Sequence, residues 1–299
     1  MTNRILITGA NGFIGRYCIE AFSTAGWETI ACMRSPGTLP WATETVDCDL
    51  LDHDRTQKVV TDVGATHLLH LAWLSDASAR WTSAANLDWV SATLNLARAF
   101  AAQTGKHFLF AGSCAEYEWQ SSPLRVGITP LKPATLYGEA KARTGQLLRA
   151  AQSELGIAIA HARLFFCYGH GEPVGRLLPD LIAHLEAGTP FKCSDGLQRR
   201  DYLYAADIAQ AFVTIAEAQA SGEFNIGSGQ SIAVRDLVQT TADQLAQPGL
   251  PQFGAIPQRP GDPEEIEADI APLQALGFSP RFDLMAGIKD TLARREAAL

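Results

Sequence analysis

The chain holds only six cysteines, Cys18, Cys32, Cys48, Cys114, Cys167 and Cys193, and none stands in a C-x-x-C pair. At 299 residues it is long enough to fold without disulfide staples, so these read as reduced thiols in a cytoplasmic protein. The seven histidines form no H-E-x-x-H or comparable ligand spacing, which leaves a metal site without support. Positive charge is short as well. Lys and Arg number 24 against 32 Asp and Glu, a net charge of −8, so nucleic acid is not an expected partner. A few well-placed arginines are still enough to hold a small anion. Long apolar runs are also missing. Ile5-Leu6-Ile7 stops at Gly9, too short for the core of a signal peptide. The longest run, Leu68 to Leu74, is broken by His70 and cannot cross a bilayer, so no membrane association is expected.

What remains is ordinary globular composition, 47% hydrophobic and 19% charged. Short apolar runs at Arg4–Thr8, Glu28–Met33, His67–Leu71, His107–Ala111 and Ala158–Ala162 predict strands. Between them, Gly12–Ala25, His53–Thr61, Asn86–Gln103 and Leu136–Leu155 predict helices. Unalternating strands separated by helices indicate a parallel sheet buried on both faces, an α/β, Rossmann-type doubly wound fold. The expected dinucleotide-binding domain covers residues 1–168 and is rejoined by about 197–227. Residues 169–299, with weaker periodicity and more Gly and Pro, are expected mainly to form a smaller substrate lobe over the sheet's carboxyl edge.

Thr8-Gly9-Ala10-Asn11-Gly12-Phe13-Ile14-Gly15 lies between the first strand and the first helix. Gly9 suits a tight turn, Gly12 a close approach to a pyrophosphate, and Gly15 helix-on-strand packing; the helix start offers free N–H groups to phosphate. Strand before and helix after raise this above a set of turn glycines. No acid stands between Glu28 and Glu44 to bind a ribose 2′-hydroxyl, and Arg34 and Ser35 are placed to hold a 2′-phosphate. NADP is therefore expected, with NAD as the alternative. Asp49 and Leu50 lie in what reads as the adenine-side loop.

Tyr137 and Lys141 stand one helical turn apart on one face. A lysine cation beside a phenol favours phenolate, so the pair is suited to proton transfer near neutrality. Y-x-x-x-K is common on helix surfaces; its place after the His107–Ala111 strand, with Ser113 and Cys114 beyond that strand's end, gives it meaning.

With these residues in order, the sequence resembles an extended short-chain dehydrogenase/reductase of the NAD-dependent epimerase/dehydratase family, which modifies nucleotide sugars. The similarity runs through Gly9/Gly12/Gly15, His70-Leu71-Ala72, Gly112-Ser113-Cys114-Ala115-Glu116-Tyr117 and Tyr137/Lys141. It continues through Arg200-Asp201-Tyr202, Phe224-Asn225-Ile226-Gly227 and Arg259-Pro260-Gly261-Asp262. The resemblance implies that Tyr137 is the acid/base and that Lys141 binds the nicotinamide ribose. It implies that Leu71 and Ala72 lie against the cofactor, and that Arg200 and Arg259 grip a diphosphate, with Phe166 and Arg176 near the sugar. The strand-end Ser/Thr falls by register on Cys114, a weaker donor, with Ser113 as the alternative. Phe166 and Trp89 replace asparagines, so the substrate pose departs from the common one. A homodimer is also implied.

Three chemistries share such a scaffold. A dehydratase adds an Asp-Glu pair, which here reads Ala115-Glu116, leaving Glu116 as a possible base. A 4-epimerase holds NAD tightly. A ketoreductase needs only the set present, so reduction of a nucleotide-linked 4-keto sugar is expected first, epimerisation second and dehydration third. A non-catalytic NADP-sensing protein is the reading from another class; such chains lose Tyr or Lys, and both are present.

Overall fold

Alternate residues of the first strand serve two different cores. The computed structural model describes residues 3–297 apart from 36, 75, 77, 78, 120 and 121. In β1 (Arg4–Thr8), Ile5 and Ile7 pack into one apolar cluster and Leu6 into another. A strand's period of two sends neighbours to opposite faces, so both faces must be covered. The chain continues through α1 (Phe13–Thr24), β2 (Glu28–Met33), β3 (Glu44–Asp47), α2 (His53–Val63), β4 (His67–His70), α3 (Ala85–Ala101) and β5 (His107–Ser113). Next come α4 (Leu136–Ala150), α5 (Gln152–Leu155), β6 (Ala158–Leu164), β7 (Phe166–Tyr168) and α6 (Leu177–Glu186). Then follow β8 (Phe191–Lys192), β9 (Arg199–Arg200), β10 (Tyr202–Tyr204), α7 (Ala205–Glu217) and β11 (Gly222–Ile226). The last elements are β12 (Ile232–Ala233), α8 (Val234–Gln244), β13 (Pro251–Gln252), β14 (Glu265–Ile266), α9 (Ala271–Gln274) and α10 (Leu284–Glu296).

The main sheet has seven parallel strands in the order β11-β6-β5-β4-β1-β2-β3. One face packs Ile5, Ile7 and Leu109 against Ile19 and Phe22 of α1 and Ile208, Phe212 and Ile215 of α7. The other packs Leu6, Leu68 and Phe108 against Val59 and Val60 of α2, Leu96 and Phe100 of α3 and Leu148 of α4. This is the doubly wound α/β architecture expected.

Three local readings change. β3 was not expected; it is a four-residue edge strand with only partly buried side chains, too short for periodicity to show. The expected Leu136–Leu155 helix divides at Ala151, which caps one helix and starts the next. Beyond Gly169 the chain forms four further helices of ten residues or more. Among them α7 belongs to the main sheet's core. Leu181 and Leu185 of α6 form a separate small core with Val238 and Ala242 of α8. Beside it, β9 pairs with β12 and β14 and carries Arg200.

Candidate active site

The carboxyl ends of β1, β2, β4 and β5 open into a cavity of about 860 Å³. At one end lie Gly9, Asn11, Gly12, Phe13, Ile14 and Gly15. Gly9 sits at φ 67°, and a Cβ there would come within 2.9 Å of Ala72 N; one on Gly15 would come within 2.2 Å of Gly9 O. Only glycine tolerates these approaches. Gly12 caps α1 with no side-chain acceptor, and the first turn holds no acid, so the leading N–H groups face the cavity's anion end unopposed. That cradle fits a dinucleotide pyrophosphate. Leu71, Ala72, Asp49 and Leu50 line the same stretch. Arg34 and Ser35 are exposed at its edge just after β2. Arg34 has no ion-pair partner among the described residues.

The other end is built where α4 presses on the end of β5. Thr135 caps α4, its hydroxyl accepting from Gly138 N at 3.2 Å. A Cβ on Gly138 would come within 2.2 Å of Ala115 O, so a glycine is needed for the helix start to reach the strand end. That approach brings partly buried Tyr137 beside the Ser113 hydroxyl, which favours the charged phenol. Burial raises the phenol's pKa, while the Arg80 cation and the Ser113 hydroxyl pull it back. Buried Lys141 donates from Nζ to Ala111 O at 2.8 Å and stands 3.9 Å from the Trp73 ring centre. Burial pushes its ammonium down to about 7, against the opposing pull of Glu116.

Cys114 and Ser113 were the two candidates for the strand-end donor, with Cys114 favoured by register. Instead β5 runs on through Ser113, whose side chain caps the next turn, accepts from Ala115 N at 3.2 Å and meets the phenol. Cys114 also lines the cavity, but burial pushes its thiol up to about 12, which keeps it protonated. Glu116 does not line the cavity. Its carboxylate is fully buried, accepting from Ser113 N at 2.8 Å and Arg163 Nε at 2.7 Å, with His161 Nε2 at 3.1 Å. Burial opposes its charge, yet His161 and Arg163 hold its pKa down to about 2. A carboxylate so fully engaged orients the Ser113 backbone and is not available as a base.

Beyond Tyr137 the walls are aromatic. Trp81 meets the Tyr137 ring edge-on at 5.4 Å, Trp73 lies 6.1 Å from Trp89, and Phe166 lies 5.8 Å from Tyr202. Arg176 lines this end, donating from Nε to Glu172 at 2.7 Å. Burial raises the Glu172 carboxyl to about 7. Arg80 and Glu172 carried no sequence signal: Arg80 sits in a single 3-10 turn, Ala79–Trp81, and Glu172 in a loop, with no spacing to mark them.

Phe166, Leu177 and Tyr202 also line a second cavity of about 370 Å³, which brings together Arg200, Arg259 and Asp262. Arg200 is buried and already engaged, bridging to Asp262 at 2.7 Å and donating to the Arg199 and Pro263 carbonyls. Arg259 is exposed. The acid beside Arg200, Asp201, pairs with neither arginine; it accepts from Ser228 N, Gly229 N and Ala268 N.

Among proteins of known kind, a model of the NAD dependent epimerase/dehydratase family matches residues 5–227. A CDP-abequose synthase from Salmonella muenchen is 23% identical, covering 99% of both chains. A UDP-glucose 4-epimerase from Azospirillum brasilense is 26% identical over 95% of this chain and 89% of its own. The solved UDP-N-acetylglucosamine 4-epimerase from Methanobrevibacter ruminantium shares the fold at a TM-score of 0.86 and 24% identity, over 98% of this chain and 100% of that one.

Proposed function

The chain belongs to the NAD dependent epimerase/dehydratase family, and on that premise we propose that it reduces a nucleotide-linked 4-keto sugar with NADPH, Tyr137 giving the proton. It is an enzyme of the nucleotide-sugar, NAD-dependent kind. The observation that carries the finer reading is the Ser113–Tyr137 pair, set between the glycine cradle and the cavity holding Arg200 and Arg259. A dinucleotide held by the Gly9, Gly12 and Gly15 cradle would supply hydride to the carbonyl carbon. Ser113 and Tyr137 hold the carbonyl oxygen with their hydroxyls. Burial keeps the phenol protonated near neutrality, the state a proton donor needs. Arg80 eases the loss of that proton by favouring phenolate. Arg34 and Ser35, with no acid between Glu28 and Glu44, support the 2′-phosphate of NADP over NAD.

A 4-epimerase is the second reading, favoured by the likeness to the UDP-glucose 4-epimerase. Exposed Leu87 on α3 and Leu147 on α4 support a homodimer through that helix pair. Calorimetry with UDP, GDP, CDP and dTDP, followed by NADPH oxidation with the matching 4-keto sugars, tests the reductase. Interconversion of C4 epimers with no added cofactor would replace it by the epimerase. No binding of any nucleotide at millimolar concentration would overturn the nucleotide-sugar reading itself.

A further inference from the structure

Asn86 lies in the first turn of α3 and is fully buried, yet both polar atoms of its side chain are in use. Its Oδ1 accepts from Trp73 Nε1 at 2.8 Å, and its Nδ2 donates to Arg80 O at 2.7 Å and Ser83 O at 2.9 Å. An indole N–H only donates and a carbonyl only accepts, so a side-chain amide in this orientation matches all three. None of these bonds reaches Tyr137 or Lys141. The groups they hold do. The Trp73 ring centre stands 3.9 Å from Lys141 Nζ, and the Arg80 guanidinium stands 5.6 Å from the Tyr137 ring centre. The indole keeps water from the ammonium, and Arg80 adds like charge; both push Lys141 down, against Glu116. The charged and titratable groups facing Lys141 are thus Glu116, from the turn after β5, Arg80, from the Ala79–Trp81 turn, and His70 of β4. Burial pushes the His70 ring down to about 3, so it stays uncharged near neutrality. Truncating Asn86 leaves an indole N–H and two carbonyls without partners in a dry site, which favours their turning towards water.

We propose that Asn86 is a positioning residue for Tyr137 and Lys141: it touches neither, but locks in place the indole that dries Lys141 and the turn whose guanidinium faces Tyr137. This rests on the reading of Tyr137 as the proton donor with Lys141 beside it.

Reductive methylation of Lys141 across pH in the full-length enzyme, followed by peptide mass spectrometry, tests this without a substrate. Asn86 carries no charge, so its removal alters Lys141 only through what it holds. Asn86→Ala is expected to raise the Lys141 midpoint by about one pH unit or more, a tenfold gain in proton affinity, towards the ordinary value of about 10.4. Trp73→Phe keeps a ring but offers Asn86 no N–H, and is expected to raise the midpoint by a smaller step. The double variant should move little beyond Asn86→Ala, because residues acting in series do not add. Phe212→Ala opens the core on the other face of the sheet, so it should lower thermal stability and leave the midpoint unmoved. Wild-type midpoints in both Asn86→Ala and Trp73→Phe overturn the inference and leave the reading of Tyr137 intact. Fully additive shifts, or a Phe212→Ala shift as large as that of Asn86→Ala, overturn it equally. If Asn86→Ala does not fold, Trp73→Phe decides alone by the same criterion. Reduction of 4-keto sugars unimpaired by Tyr137→Phe overturns the proton-donor reading and this inference with it.

Discussion

Lys141 Nζ stands 3.9 Å from the centre of the Trp73 ring while donating to Ala111 O at 2.8 Å. The indole excludes water from the ammonium, and that loss of solvation is the main reason the group is pushed down to about 7. Trp73→Ala opens the site to water and is expected to move Lys141 towards the ordinary lysine value of about 10.4. The pH dependence of reductive methylation at Lys141, followed by peptide mass spectrometry, reads this directly. Equal midpoints in the two proteins would clear the indole of any part in it.

Ser113 and Cys114 are adjacent, yet Ser113 favours the charged Tyr137 phenol and Cys114 opposes it. Ser113→Ala is expected to lower kcat by about 10–10³-fold, as for loss of one oxygen-stabilising donor. Tyr137→Phe is expected to lower it by about 10²–10⁴-fold with cofactor affinity little changed. Cys114→Ser should leave kcat within a few-fold. A Cys114 variant as damaged as Ser113→Ala would return the role to the thiol.

That reversal shows where the sequence stops being informative. The glycine turn, the helix-borne Tyr137 and Lys141 and the buried strands follow from local spacing and apolar runs, so they were legible. Whether a strand ends at Ala111 or Ser113 depends on pairing with β6, where Ser113 sits opposite Leu164. Nothing local to Gly112-Ser113-Cys114 encodes that. Glu116 looked like a spare acid for the same reason: its partners His161 and Arg163 are 45 and 47 residues away. α7 was missed because residues around much of its circumference, among them Ala205, Ile208, Phe212 and Ile215, are buried, leaving no broad polar face.

Arg34 is exposed at the end of β2 beside the cofactor cavity. If it holds a 2′-phosphate, Arg34→Ala should weaken NADPH by about 1–3 kcal/mol, the worth of a charge-assisted bond, and barely touch NADH. Fluorescence titration of both cofactors decides it. Equal losses would show that the residue does not read the 2′ position.

Three buried histidines are expected to weaken the fold in acid. Burial holds His67 and His107 down to about 4 and His70 down to about 3, from 6.5. An unfolded chain takes up these protons near pH 6.5, so below that pH it binds more protons than the folded chain. Stability therefore falls as pH drops from 6.5 towards 4, by up to about 1.4 kcal/mol per pH unit for each histidine. Glu116, depressed to about 2, adds its own loss only between about 4.5 and 2. Urea midpoints measured at pH 7, 6 and 5 should fall in that order; a flat series would mean that these rings are already charged in the fold.

Arg200 and Arg259 share one cavity but differ in what already holds them. Arg200 is buried, with Asp262 and two carbonyls on its guanidinium, so it is part of the small sheet's framework as well as the cavity wall. Arg259 is exposed and has no ion-pair partner among the described residues. Replacing Arg259 by Lys keeps the charge and loses the planar fork, so nucleotide-sugar binding should weaken with thermal stability unchanged. If the diphosphate is a remote handle gripped equally in ground and transition states, the loss appears in KM and spares kcat. Arg200→Lys should cost both, because a lysine cannot bond Asp262 and two carbonyls in the same plane and leaves a buried carboxylate poorly matched. Neither change should alter NADPH affinity, since the glycine cradle lies in the other cavity. A kcat loss for Arg259→Lys with KM intact would place its grip in the transition state alone. An effect of either variant on NADPH binding would mean that the two cavities are not independent subsites.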